Sequence, residues 1–236
     1  MAEVMAVIPA RYGSTRLPGK ALADIGGEPM IVRVYRRVSR AKSIRRVLVA
    51  TDDQRIVDVV QAAGGEAIMT SSGHASGTDR IAEVAERFSI DSCIVNVQGD
   101  EPFIEPAIVD ALAHRVSQPN AAVVTAATSM TEEVDNPARV KVVVDPRGQA
   151  LYFSRSAIPY GGPWRRHLGL YAFQPDALRQ FAALPPSLME RSERLEQLRF
   201  LENRIPVWVI DVPRASLSVD TPDDLAAARR IASHSG

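Results

Sequence analysis

Val4-Met5-Ala6-Val7-Ile8-Pro9-Ala10-Arg11-Tyr12-Gly13-Ser14-Thr15-Arg16-Leu17-Pro18-Gly19-Lys20 is a short apolar run followed by an unusual loop. Val4–Ile8 is apolar throughout, which reads as a strand buried on both faces. The residues after Ala10 include two glycines, a proline, the hydroxyls of Ser14 and Thr15, and three cations (Arg11, Arg16 and Lys20) with no acid. Open α/β sheets bind ligands beyond the carboxyl ends of their strands. A loop there that offers backbone N–H groups, hydroxyls and fixed positive charge suits a polyphosphate. It is not a Walker A loop, because five residues separate Gly13 from Gly19 and Ala21 follows Lys20 where a hydroxyl is needed. Nor does it have the spacing of a dinucleotide fingerprint.

Downstream, strands and helices alternate. Ile31, Val34, Tyr35 and Val38 fall at helical spacing within Met30–Val38, and Arg46–Ala50 reads as a second strand. Ile56, Val57, Val60 and Ala63 mark a helix closed by Gly64-Gly65. Ala67–Met69 is a short strand, Ile81, Val84, Ala85 and Phe88 mark a helix, and Cys93–Val97 is a strong strand. This order implies βαβ units and a parallel sheet. From about Ala121 the rhythm changes to Ala121–Thr128, Arg139–Asp145 and Leu151–Ser154, with Asp145-Pro146-Arg147-Gly148 as a turn. A mixed or antiparallel lobe over about 130–205 is expected. Ser187-x-x-Glu190 opens a helix carrying Leu188, Leu195, Leu198 and Leu201. Val207–Val212 is a strand, and Thr221-Pro222-Asp223-Asp224 opens the last helix.

Of the 236 residues, 28 are Lys or Arg and 28 are Asp or Glu, so there is no basic excess of the kind that coats nucleic acid. The seven cations from Arg33 to Arg46 read mainly as a helix exterior. A single cysteine, Cys93, excludes an internal disulfide and suits a reducing compartment. Met1–Ile8 contains Glu3 and no base, and Pro9 and Arg11 end the apolar run, so no signal peptide is read there. No run approaches the ~18 apolar residues of a membrane span. A cytoplasmic location is expected, with no membrane and no nucleic-acid partner.

Two acidic loops face the same sheet edge. Asp100, in Gln98-Gly99-Asp100-Glu101-Pro102, follows the strongest strand, and Asp220 precedes the cap at Thr221. Magnesium takes one or two carboxylates plus phosphate oxygens, so the pair suits Mg²⁺ beside a triphosphate. Alternatively, Asp100 caps a following helix and Asp220 forms a turn.

These segments together resemble the cytidylyltransferases that activate 3-deoxy-manno-octulosonate (Kdo), the CMP-Kdo synthetases. The resemblance rests on IPARYGSTRLPGK (8–20), ATD (50–52), SGTDRIAEV (76–84), VNVQGDEP (95–102), NPARVKVVVD (136–145), ALYFSRSAIP (150–159), RHLGLY (166–171), LEQLR (195–199) and VDTPDDL (219–225). It implies a mostly parallel, doubly wound nucleotide-binding sheet of nucleotidyltransferase type. Residues 1–129 plus 206–236 would form the nucleotide core, and 130–205 a smaller sugar-binding and dimerisation lobe. The implied reaction is CTP + Kdo → CMP-Kdo + pyrophosphate, with Mg²⁺, in a homodimer serving lipopolysaccharide synthesis. At matching positions, Arg11, Ser14, Arg16 and Lys20 would hold the triphosphate, with Arg80 and Gln98 on the nucleotide side. Asp100 and Asp220 would be metal ligands, and Lys20, Arg11 and Asp100 would carry the catalytic work. Arg155, His167, Tyr171, Glu196 and Gln197 would form the sugar side.

Read without the resemblance, His167 and Tyr171 are equally core residues, and Glu196 and Gln197 lie on a solvated helix face. The stretch Tyr160–Arg166 is short beside the family's usual charged loop, so a variant acid such as 8-amino-Kdo or a sialic-type acid is an alternative substrate. A cytidylyltransferase acting on methylerythritol phosphate is a near rival of the same kind; a glycosyltransferase, which would normally carry a D-x-D motif, is a more distant one, and a nucleotide-sensing module without catalysis is the rival from a different class.

Overall fold

The computed structural model describes residues 4–14, 16–74 and 76–234. Among the described residues nine strands form one sheet. The first strand, β1 (Val4–Ala10), is buried along its whole length and runs two residues beyond Ile8. Helix α1 (Met30–Val38) has the bounds its apolar spacing predicts. Then come β2 (Ile44–Thr51), α2 (Gln54–Ala62), β3 (Glu66–Met69), α3 (Gly77–Arg87), β4 (Cys93–Asn96) and α4 (Pro106–Val116). The second half holds β5 (Val123–Met130), the hairpin β6 (Lys141–Val144) and β7 (Ala150–Ser154), and the long β8 (Trp164–Phe173). Helices α5 (Pro175–Ala183), α6 (Leu188–Glu193) and α7 (Leu198–Glu202), strand β9 (Val207–Asp211) and helix α8 (Pro222–Ser233) complete it.

The spatial order is β3-β2-β1-β4-β8-β5-β9. β1 pairs in parallel with β2 and β4, β2 with β3, and β5 with β9. Along this path only β8 runs against its neighbours, β4 and β5, so the path is mostly parallel with one reversed strand inside it, and the β6–β7 hairpin adds further antiparallel pairs at its side. The β6–β7 hairpin hangs on β8 through Lys141 opposite Arg166. Lys141 is itself fully buried, and its ammonium donates to the carbonyls of Asn136 and Arg155. A buried charge is tolerable only when so satisfied, and here it pins both ends of the hairpin. Two apolar clusters pack on opposite sheet faces, one around Ile8, Val49 and Val95, the other around Val7, Phe153, Phe173 and Phe200.

Two expectations change. The helix expected from Leu188 through Leu201 is broken into α6 and α7, because Arg194 takes a left-handed conformation (φ 54°). Glu190, which closes the predicted capping box with Ser187, also ion-pairs with Arg199 at 2.5 Å, folding α7 back onto α6. Helix α5, with Pro175 in its first turn, lies where no helical pattern was read. At the far end, Thr221 caps α8 as expected. Asp224 accepts from the N–H groups of Asp220 and Thr221, which leaves the Asp220 carboxylate out of the cap.

Thr221→Ala removes that cap and should cost about 1 kcal/mol. Urea denaturation of the variant checks this; an unchanged midpoint would mean that Asp224 alone holds the helix start.

Candidate functional site

The cationic loop leaves β1 at Ala10 and is braced by itself. The Gly19 N–H donates to the Tyr12 carbonyl (3.0 Å), and Leu17 N–H approaches Ser14 Oγ (3.4 Å). Gly19 has φ 70°, and a Cβ there would press on the Tyr12 ring at 3.2 Å. Glycine is therefore required to turn the chain so that Lys20 begins a short 3-10 turn pointing back at the sheet. Thr15 lies outside the described residues. Arg11, Ser14, Arg16 and Lys20 line one cleft of about 240 Å³ with Arg80, Gln98, Asp100 and Asp220.

Lys20 organises that cleft. Its ammonium donates to Asp100 Oδ2 (2.7 Å), Asp220 Oδ1 (2.8 Å) and the Val219 carbonyl (3.2 Å). Burial pulls its pKa down, but Asp100 and Asp220 more than offset this, and it is held above the ordinary lysine value. Arg16 reaches Asp220 at 3.2 Å. The backbone makes the same junction, since Val219 N–H donates to the Asp100 carbonyl at 2.9 Å. Asp100 is not a helix cap: α4 starts at Pro106, with Glu105 in the cap position. Gly99 sits where a Cβ would meet the Pro9 carbonyl at 3.0 Å, so the acidic loop packs directly on the end of β1.

Two carboxylates from separate strand ends, converging on one cation at 2.7 and 2.8 Å, form a hard-oxygen donor set that fits Mg²⁺ with phosphate oxygens and water completing its shell. Among the described residues no third His, Cys, Asp or Glu joins them.

Arg80 is almost fully buried, and its guanidinium is held by Asp52 (2.9 Å) and Thr70. The ATD segment thus acts by bracing this arginine. Gln98 donates to Asn96 Oδ1 (3.3 Å) and stands between this cleft and the next.

A second cavity of about 330 Å³ shares Gln98, Asp100 and Asp220 with the first. His167, Tyr171, Glu196 and Gln197 all line it. His167 packs edge-on to Phe153 and shares a hydrogen bond of 2.9 Å with Thr125; burial lowers its pKa to about 3, so the ring is neutral at ordinary pH. Tyr171 is buried beside it, its pKa raised by burial and by Glu196. Glu196 accepts from Thr78 Oγ1 at 2.8 Å, while its buried Oε2 has no partner among the described residues. Burial raises the pKa of this carboxyl. Glu196 and Gln197 face the cavity instead of solvent because the helix is broken at Arg194. Both core and site readings of His167 and Tyr171 therefore hold, since each is buried and each lines the wall.

Arg155 is not brought to either cavity. Its guanidinium donates to the carbonyls of Pro137, Glu193 and Arg194, fixing the end of β7 to α6. Arg139, Arg166 and Glu101, which were not singled out as site residues, line the second cavity instead. Glu101 is pushed up to about 7 by burial, against the lowering effect of a hydrogen bond from Ser216. Arg139 and Arg166 stand in quoted segments of the sequence, but the alternation of a strand does not say which of its cations faces a cavity.

A family model described as "Cytidylyltransferase" matches residues 5–207. A 3-deoxy-manno-octulosonate cytidylyltransferase of Trichlorobacter lovleyi is 47% identical, covering 96% of this chain and 97% of its own. One of Leptospira interrogans is 49% identical over 95% of this chain and 94% of its own. The solved structure of a CMP:2-keto-3-deoxy-manno-octonic acid synthetase complexed with CTP superposes with a TM-score of 0.95 at 42% identity, over 100% of both chains.

The His167 ring sets an acid limb for stability. The unfolded chain takes up a proton near pH 6.5, the buried ring only near 3, so the stabilisation present above 6.5 is lost as pH falls between those values. At ~1.4 kcal/mol per pH unit, the loss between pH 7 and 5 should be about 2 kcal/mol smaller in His167→Asn. Equal losses by urea denaturation would show that the ring is not kept neutral.

Proposed function

Because the chain belongs to the cytidylyltransferase family, we propose that it activates 3-deoxy-D-manno-octulosonate with CTP, releasing pyrophosphate and giving CMP-Kdo for lipopolysaccharide synthesis. The observation that carries this reading is the wall common to the two cavities. A nucleotide in the cationic cleft and an acid sugar in the second cavity would meet at Gln98, Asp100 and Asp220.

In the reaction the sugar's anomeric oxygen forms a bond to the α-phosphorus of CTP, and the bond to the bridging oxygen of pyrophosphate breaks. Such a transfer asks little covalent chemistry of the protein and depends on positioning and charge neutralisation. Arg11, Ser14, Arg16 and Lys20 hold the triphosphate, and the cations offset charge that builds on the leaving pyrophosphate. Lys20 remains an ammonium at working pH because its two carboxylate partners favour the charged form. Gln98 borders both substrates, and Arg80, already neutralised by Asp52, stiffens the nucleotide wall. Glu196, Gln197, His167 and Tyr171 meet the sugar's hydroxyls. Asp100 and Asp220 are the residues that would hold Mg²⁺, which supplies Lewis-acid polarisation of phosphate oxygens and lowers the pKa of a bound hydroxyl.

A homodimer is part of this reading. Leu151 and Tyr160, both exposed in the 130–205 region, are apolar side chains that such an interface would cover. A cytoplasmic site of action agrees with a single buried cysteine. No helix among the described residues is long and apolar enough to cross a membrane.

Pyrophosphate release, measured with CTP, Mg²⁺ and a panel of 2-keto acid sugars, tests the assignment. Turnover with Kdo is expected; turnover only with a nine-carbon acid would overturn the substrate. Asp100→Asn should lower kcat by roughly a hundredfold or more, since it removes a charge that acts on the reacting phosphate. Its thermal midpoint shows whether the fold survives, and an unchanged magnesium-dependent rate would remove Asp100 from the metal site.

A further inference from the structure

The second cavity holds two guanidinium groups that the described residues leave wholly or partly without acceptors. Arg166 leaves β8 half-buried, and its guanidinium forms no hydrogen bond and no ion pair with any described residue. Arg139, from the segment before β6, gives its Nε to Glu133 at 3.0 Å, while its two terminal nitrogens donate to no described residue. An unpaired, half-buried charge costs free energy, and a second like charge beside it adds to that cost. The balance shows in Arg166, whose pKa is lowered by burial and then by Arg139, with Glu101 and Glu133 acting in the opposite direction from beyond ion-pair distance. A protein that keeps such a pair facing a cavity has a donor fork ready for an anion.

The rest of the wall says which kind of anion. The Glu196 carboxylate, with its orphaned buried Oε2, lines the same cavity, as does Glu101. A second phosphate-like dianion would meet both acids. A monoanionic carboxylate attached to a polyol would not, because its hydroxyls can donate to Glu196 while the carboxylate takes the arginines. From this juxtaposition we propose that Arg166, assisted by Arg139, is the specificity-determining receptor for the carboxylate of the acid sugar. The proposal rests on the cytidylyltransferase reading above. It assigns the carboxylate to a residue other than Arg155, whose donors are spent on backbone carbonyls.

The test compares the free acid of Kdo with its C1-amide in wild type, Arg166→Met, Arg166→Lys and Arg139→Met, reading KM and kcat for each sugar and the Kd for CTP by calorimetry. Wild type should use the acid far better than the amide. Arg166→Met should raise KM for the acid by ~30-fold or more, the cost of a lost charge-assisted hydrogen bond. It should also largely erase the preference for acid over amide, with the Kd for CTP unchanged as evidence of an intact fold. Arg166→Lys should recover part of the preference, and Arg139→Met should show the same loss in smaller measure. If wild type turns over Kdo but Arg166→Met keeps the full preference for the acid, the carboxylate assignment is wrong and the enzyme reading stands. If Arg166→Met fails to bind CTP, the decision passes to Arg139→Met and Arg166→Lys, and an undiminished acid preference in both overturns the proposal. If wild type uses no 2-keto acid sugar, the reading and the proposal fall together.

Discussion

The ammonium of Lys20 between Asp100 and Asp220 is the constraint around which this site is built. It joins three segments far apart in the chain, the loop after β1, the loop after β4 and the turn before α8, with contacts of 2.7 and 2.8 Å. The backbone makes the same junction through Val219 N–H and the Asp100 carbonyl. Two carboxylates brought this close would repel each other if nothing cationic lay between them. Their convergence is affordable because Lys20 is there, and it leaves a place suited to a divalent ion and phosphate charge.

The sheet supplies the frame for that junction. β1 and β4 are parallel neighbours, so the loops leaving their carboxyl ends emerge side by side. Beyond β4 the reversed strand β8 intervenes, and it carries Arg166, His167 and Tyr171 on the next stretch of the same sheet. A single reversed strand thus sets a second cavity against the first, with Gln98, Asp100 and Asp220 common to both walls. The break between α6 and α7 completes that cavity by turning Glu196 and Gln197 inward. Thr78, on α3, ties Glu196 at 2.8 Å to the helix whose Gly77 and Arg80 line the first cleft.

Much of this was legible in the sequence, for identifiable reasons. The apolar run of β1, the helical spacing of α1 and the cap at Thr221 are local signals, decided by neighbours within one or two turns. The cationic loop was legible because three cations without a neighbouring acid in the sequence, flanked by glycines, are hard to explain by local packing. The uninterrupted helix expected from Leu188 to Leu201 failed because Glu190 is shared between its own capping box and Arg199, a choice made by tertiary packing. Arg155 and Arg166 illustrate the same limit. Both are arginines in recognisable segments, yet one spends its donors on carbonyls and the other lines the cavity with no described residue accepting from its guanidinium.

By itself the sequence determined that β1 is buried along its length, where α1 and α8 begin, and which loop gathers three cations without an acid. Those properties follow from residue type and spacing along the chain. Only the tertiary structure decided that Asp100 and Asp220 meet on Lys20, that β8 runs backwards through a parallel sheet, and that Arg139 and Arg166 face the second cavity. Each of these depends on which distant backbones pair and on which donors find a protein acceptor before a ligand arrives, and neither is encoded in local periodicity.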